Sequence, residues 1–321
     1  MGVPTFRRML QIYVFITLAI SWPGAEAAKC LLIMSYHKGY AWNDGIEKGV
    51  EETLRGKCEL KKFYMDTKRN THPEFAKKKA LEAKSLIEEY RPDIVIASDD
   101  NASRYLVSRY YKDSSLPFVF CGVNWTADEY GYPYRNVTGM VEVAPILPLL
   151  KIIKQTVNPA LRGVYLSADV VTEHKDYVHY KKEYEKRNIR LTAYFVRTMD
   201  EWEEKYTLAQ SADFIIVNNY AGIADWDARR AIRHVRNYSK TFTVTNYKWM
   251  MPYAMFALTK NAHEQGVWAA RVALNILEGS APYEIPVTVN KEWNMLVNPE
   301  LLDIAGIEMN KRTLRRASRS W

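Results

Sequence analysis

The sequence predicts an α/β protein built as two Rossmann-like lobes, each a parallel sheet flanked by helices, joined by hinge strands. Short apolar runs alternate with helical patterns along most of the chain, which is how parallel strands joined by crossover helices read. That rhythm pauses near residue 143 and restarts at 163, so it is run twice. The roughly 294 residues after Ala27 also suit two domains of ordinary size better than one.

The elements follow in order. Cys30 to Ser35 is a short, continuous apolar run, the pattern of a strand buried on both faces. Asp44 to Leu54 places Ile46, Val50 and Leu54 on one helical face, and Gly56 ends it. Glu59 to Met65 alternates as a second strand, and Pro73 to Tyr90 is a long Lys/Glu/Ala helix. Asp93 to Ala97 is the third strand, Ala102 to Tyr111 a helix, Pro117 to Cys121 the fourth strand, and Val137 to Val141 a shorter one before a helix from Pro145 to Gln155. In the second pass the strands are Gly163 to Ser167, Arg190 to Val196, Asp213 to Asn218 and Thr241 to Thr245. The helices are Lys175 to Arg187, Met199 to Gln210, Trp226 to Asn237 and Gly266 to Glu278, the last closed by Gly279. Val141 to Pro145 is the natural first hinge.

The amino-terminal segment predicts export. Arg7 and Arg8 precede an almost wholly apolar run from Met9 to Trp22, Pro23-Gly24 breaks it, and Ala25-Glu26-Ala27 supplies small residues for cleavage. This is the order of a secretory signal peptide, and the run is short for a membrane span of about 20 residues. Residues 1–27 are therefore expected to be removed, with the mature protein periplasmic or extracellular. The formal charge of +8 is concentrated at the ends: +1 falls in the signal region and +5 on Lys311, Arg312, Arg315, Arg316 and Arg319, leaving the body near +2. The basic tail from 311 to 321 is expected to be a disordered end; contact with anionic lipid or nucleic acid is the other reading. An oxidising compartment permits one disulfide among three cysteines; Cys30 and Cys58 open or precede neighbouring strands and are the candidate pair. Their spacing is not that of a zinc site.

In an open parallel sheet, ligands collect beyond the carboxyl ends of the strands. The first strand ends in Ser35 and Tyr36, followed by Trp42, whose rings can stack on a planar ligand; Asn43 and Asp44 there read equally as helix caps. The third strand ends in Ser98, Asp99, Asp100 and Asn101, which either cap the next helix or hold a ligand ammonium. Asn124 and Trp125 follow the fourth strand. Glu142, near the hinge, either meets an amine or is solvated. In the second lobe the equivalent positions are Asp169, Asn219, Tyr220 and Asn246, and Trp249 reads as either site or packing. Enzyme signatures such as GxSxG, HExxH and GxxxxGK[ST] are missing, and the six histidines show no metal spacing. No catalysis, cofactor, metal or nucleic acid is expected. A hydrolase using Asp99, Asp100 or His37 is the weaker alternative.

Several phrases, in order, resemble one family. They are Asp93-Ile94-Val95-Ile96-Ala97-Ser98, Asn136-Val137-Thr138-Gly139-Met140-Val141, and Lys260 to Gly266 leading into an Ala-rich helix and Leu277-Glu278-Gly279. Tyr283 to Val287 and Leu296-Val297-Asn298 look like its closing strands, and Pro299 to Gly306 like its last short helix. The chain resembles the ABC transporter substrate-binding-protein-like family with a type I periplasmic-binding-protein fold. The resemblance implies a small ligand, an amino acid or another aromatic or amine-bearing molecule, in an interlobe cleft that closes by hinge bending. It implies an inner-membrane ABC permease as partner or, alternatively, a membrane kinase or cyclase to which the protein signals; a monomer is expected. The family's usual loop after the third strand is small and hydroxyl-rich, whereas here it is acidic, which works against a bound carboxylate. Lobe 1 is expected over 28–143 with part of 283–310, and lobe 2 over 144–282.

Overall fold

The computed structural model describes residues 2, 27–70, 72–223 and 225–319; the expected signal peptide otherwise lies outside them. The strands are β1 (Lys29–Met34), β2 (Glu59–Tyr64), β3 (Ile94–Ser98), β4 (Phe118–Asn124), β5 (Val137–Glu142), β6 (Arg162–Ala168), β7 (Arg190–Val196), β8 (Phe214–Val217), β9 (Phe242–Thr245), β10 (Phe256–Lys260), β11 (Thr288–Val289), β12 (Trp293–Val297) and β13 (Ser318–Arg319). The helices are α1 (Ala41–Leu54), α2 (Pro73–Tyr90), α3 (Asp99–Ala102), α4 (Ser108–Tyr110), α5 (Ile146–Thr156), α6 (Val171–Glu185), α7 (Met199–Ala209), α8 (Ala228–Tyr238), α9 (Ala262–Leu277), α10 (Pro299–Ala305) and α11 (Lys311–Arg316).

Two sheets result, in the orders β11-β5-β4-β3-β1-β2 and β13-β12-β10-β9-β8-β6-β7. All pairings between named strands are parallel except β10 with β12. In the first sheet β1, β3 and β4 are buried on both faces because their runs are almost continuously apolar, whereas the edge strand β2 alternates and is partly exposed. Leu31, Ile33, Val95, Phe118 and Phe120 point to one core, and Cys30, Leu32, Met34, Ile96 and Val119 to the other, as the two-residue period of a strand requires. A third core fills the second lobe around Trp202, Tyr165, Tyr206, Phe214 and Phe256. Cys30 and Cys58 are joined in a disulfide that ties β1 to the residue before β2, and Cys121 is free and buried.

The chain crosses between lobes three times: after β5, between β10 and α9, and between β11 and β12. The crossings are laced together. Asn290 Oδ1 accepts from the Val143 amide at 2.8 Å, and Glu264 accepts from the amides of Lys291 and Glu292 at 2.7 and 2.9 Å.

Four features differ from expectation. The sequence reading had no strand at 256–260, because Phe256 to Lys260 directly continues a Met-rich apolar stretch. α9, expected in the second lobe, packs on α1 and the first sheet. Glycines permit this: a Cβ on Gly266 would lie 2.0 Å from the Ile46 carbonyl oxygen, and one on Gly49 would lie 2.5 Å from that of His263. The tail expected to be disordered is folded through Arg319, as α11 and then β13 paired with β12, since Leu314 and Ala317 pack on the core of the second lobe. Finally, the helix after β3 begins at Asp99 and passes through a π-helical turn at Ser103–Val107 before α4.

Candidate functional site

The carboxyl ends of β1, β3, β4 and β5 gather an acidic, aromatic cluster. Asp99, 1 % exposed, follows β3 in left-handed backbone at φ 70°, a conformation Asp tolerates better than most residues. Its carboxyl accepts from Trp42 Nε1 at 2.9 Å and from the Ser98 hydroxyl at 2.6 Å. Burial, reinforced by the charges of Glu142 and Asp100, pushes Asp99 up to about 8. Gly122, at φ 71°, allows this placement, since a Cβ there would lie 2.8 Å from Asp99 Oδ1. Asp100 accepts from Asn124 Nδ2 at 2.6 Å and the Tyr130 hydroxyl at 2.7 Å. Tyr36, nearby, is pushed well up by burial and then by Asp99, Asp100 and Glu142.

The register of β4 against β5 shifts between Phe120 and Val123, and beyond this bulge the strand delivers Asn124 and Trp125. Trp125, at φ 62°, reaches the other lobe: its Nε1 donates to Asp176 Oδ1 at 2.9 Å, and its ring stacks on His179 at 3.9 Å. At the first crossing Glu142 forms an ion pair with Lys260, which closes β10 and sits 5.8 Å over the Trp42 ring. Burial raises Glu142 above the usual carboxylate range despite Lys260. Burial works against the Lys260 charge, yet Glu142 and Asp176 hold it above the usual lysine value.

The second lobe answers with α6. Glu173, fully buried, accepts from the hydroxyls of Tyr165 at 2.8 Å, Ser167 at 2.9 Å and Tyr247 at 3.0 Å. Burial raises both Glu173, helped by the charge of Asp176, and Asp176, opposed by Lys260 and Trp125. Four carboxylates (Asp99, Asp100, Glu142 and Asp176) thus stand between the lobes against Lys260 and, over the Tyr36 ring at 5.0 Å, Lys68.

Of the residues singled out from sequence, Tyr36, Trp42, Asp99, Asp100, Asn124, Trp125 and Glu142 come together here. Ser35 instead bonds the Ser98 carbonyl and accepts the Ala102 amide, and Ser98 holds Asp99. Asn101 donates to Thr67 at 2.7 Å. Asp169 turns to His174 and Arg197, which hold it below the usual carboxylate range. Asn219 caps its own turn at Ala221, and Tyr220 stacks on Trp226 at 4.6 Å. Asn246 is 2 % exposed with both amide atoms unpartnered. Neither Asn43 nor Asp44 caps α1, which starts earlier, at Ala41. Trp249 is half exposed and stacks on Tyr247, because Met250 and Met251 take the core positions beside it. His37 faces Asp66 at 3.5 Å. Tyr247 follows a strand of the second lobe, whereas no strand-end pattern in the sequence marks Lys260, Glu173, Asp176 or His179. Glu173 and Asp176 lie within a helix, away from strand ends; their three-residue spacing along a tyrosine-rich helix face was the available signal.

The family model described as ABC transporter substrate binding protein matches residues 31–320. No curated protein matches the chain. Solved structures share the fold at low identity. A ligand-free, open substrate binding protein with adhesive properties from Clostridium difficile is 16 % identical, with a TM-score of 0.71 over 91 % of this chain and 99 % of that one. A Streptococcus pneumonia ABC domain in complex with L-Trp is 19 % identical, with a TM-score of 0.58 over 92 % and 99 %. A conserved domain protein from Vibrio cholerae is 18 % identical, with a TM-score of 0.60 over 92 % and 100 %. With nearly the whole described chain matched and a type I periplasmic-binding-protein architecture in place, this chain belongs to the ABC transporter substrate binding protein family.

Proposed function

We propose that this protein is an extracytoplasmic solute-binding protein that captures a small cationic amine bearing an aromatic or planar part between its lobes. It closes by bending at the three crossings and passes the ligand to a membrane ABC permease. The observation that carries this reading is the set of carboxylates facing one another beside the indoles of Trp42 and Trp125. Like charges held this close are costly unless a proton or a cation relieves them, and an ammonium group does so while the indoles cover the planar part. A carboxylate alone meets repulsion in the same place. The Trp-bound structure from Streptococcus pneumonia supports an aromatic ligand in this fold.

The test is a thermal-shift series comparing aromatic amines and aromatic amino-acid amides with the matching acids that lack the amine. A ligand at 100 times its Kd stabilises the folded state by about 2.7 kcal/mol. Amines are expected to raise the melting temperature, and Asp99→Ala and Trp125→Ala to weaken the effect. Equal stabilisation by the acids, or none by any amine, overturns the reading.

A further inference from the structure

We infer that the carboxyl-terminal segment Lys311–Arg319 is a preformed docking surface for a bilayer rich in anionic phospholipid headgroups. The segment carries five cations and no acid within nine residues. On α11, at 100° per residue, Lys311, Arg312, Arg315 and Arg316 fall within one arc, while Thr313, Leu314 and Ala317 lie opposite. Burial follows that division. All five cations are exposed, whereas Thr313, Leu314 and Ala317 are half-buried, the last two against the second-lobe core.

The segment is fixed at both ends. Met309 is buried, the Asn310 side chain accepts the Arg312 amide at 2.8 Å, and Ser318–Arg319 pairs with Leu296–Val297 of β12. The cations are thus held outward on a folded edge, so little conformational entropy is lost when they meet a charged plane. Several other surface cations are paired, such as Arg236 with Glu300, Arg230 with Asp200 and Glu203, and Arg187 with Glu183. Among the described residues, none of the five tail cations forms an ion pair with a carboxylate. Their match is a surface of fixed negative charge, where each cation strengthens binding about fivefold and the attraction fades within a Debye length of about 10 Å at 0.1 M salt. A bilayer suits the geometry better than a groove-seeking partner, because the cations form one short convex arc with no aromatic ring among them. This docking does not rest on the cleft ligand.

The experiment uses the chain from Ala28 onward, which contains both sheets and all three cores. It is mixed with vesicles of phosphatidylcholine alone or with 30 mol% phosphatidylglycerol, a composition chosen as roughly that of an anionic leaflet, and sedimented at low salt. Binding is expected to the phosphatidylglycerol vesicles only, to fall steeply as salt rises, and to weaken roughly 25-fold in Arg315→Gln/Arg316→Gln. These positions are exposed, so an unchanged melting curve is expected; the salt series on the parent chain carries the test independently of that variant. No binding to anionic vesicles, salt-insensitive binding, equal binding to phosphatidylcholine, or binding to duplex DNA without binding to vesicles overturns the inference.

Discussion

Asp99→Asn is the perturbation most directly tied to the site's physics. Asp99 is fully buried and titrates at about 8, against an ordinary aspartate value of 3.8. A carboxyl whose folded value is raised holds its proton in the folded state while the unfolded chain releases it. Stability is therefore greatest below pH 4 as far as this group is concerned, and is lost as pH climbs from about 4 to about 8. The slope in that window approaches 1.4 kcal/mol per pH unit, giving a loss of roughly 4 kcal/mol between pH 5 and pH 9. An asparagine keeps the size and an acceptor for the Trp42 N–H but cannot ionise. Urea unfolding at half-unit steps from pH 5 to 9 should show the parent losing stability relative to the variant, with the gap levelling off above pH 8. Glu142, Glu173 and Asp176 are shifted the same way but titrate in both proteins, so the difference between the two isolates Asp99. Parallel curves across the range would falsify the assignment, for Asp99 would then be ionised throughout. A cationic ligand adds a second readout: the rise of its affinity with pH up to about 8 should be shallower in the variant than in the parent, by at most about tenfold per unit.

Two further substitutions probe the frame. Lys260→Met leaves Glu142 without its partner at the first crossing, and should destabilise by about 2–3 kcal/mol. That is below the cost for a fully buried pair because the Lys260 side chain stays about 21 % exposed; Lys260→Met with Glu142→Gln should recover most of the loss, and no recovery in chemical unfolding would show that the pair is not the cause. Gly266→Ala drives a methyl group to within 2.0 Å of the Ile46 carbonyl oxygen, so α1 and α9 must part; a loss at or above the usual 1–3 kcal/mol of overpacking is expected in urea melts, and an unchanged midpoint refutes the close packing.

The sequence made the repeated strand–helix order legible, because strands buried on both faces are apolar throughout and Cys30 to Met34 and Ile94 to Ala97 are such runs. It also pointed to the strand-end residues of the first lobe, since chain order and the parallel rule place Tyr36, Asp99 and Trp125 at one edge. It had no means of showing which lobe a helix joins: α9 is as amphipathic in one as in the other, and the choice rests on the clearance that Gly45, Gly49 and Gly266 leave between two backbones far apart in sequence. For the same reason the second lobe's share of the site was hidden. Asp176 and Glu173 acquire meaning only when α6 is laid against Trp125, Tyr247 and Lys260, and Asp169, by every local sign their equal, is drawn outward by Arg197 and His174. Local pattern fixes what a segment forms, but the partner of a charge is set by through-space distance, and distance between separated segments exists only once the lobes have folded.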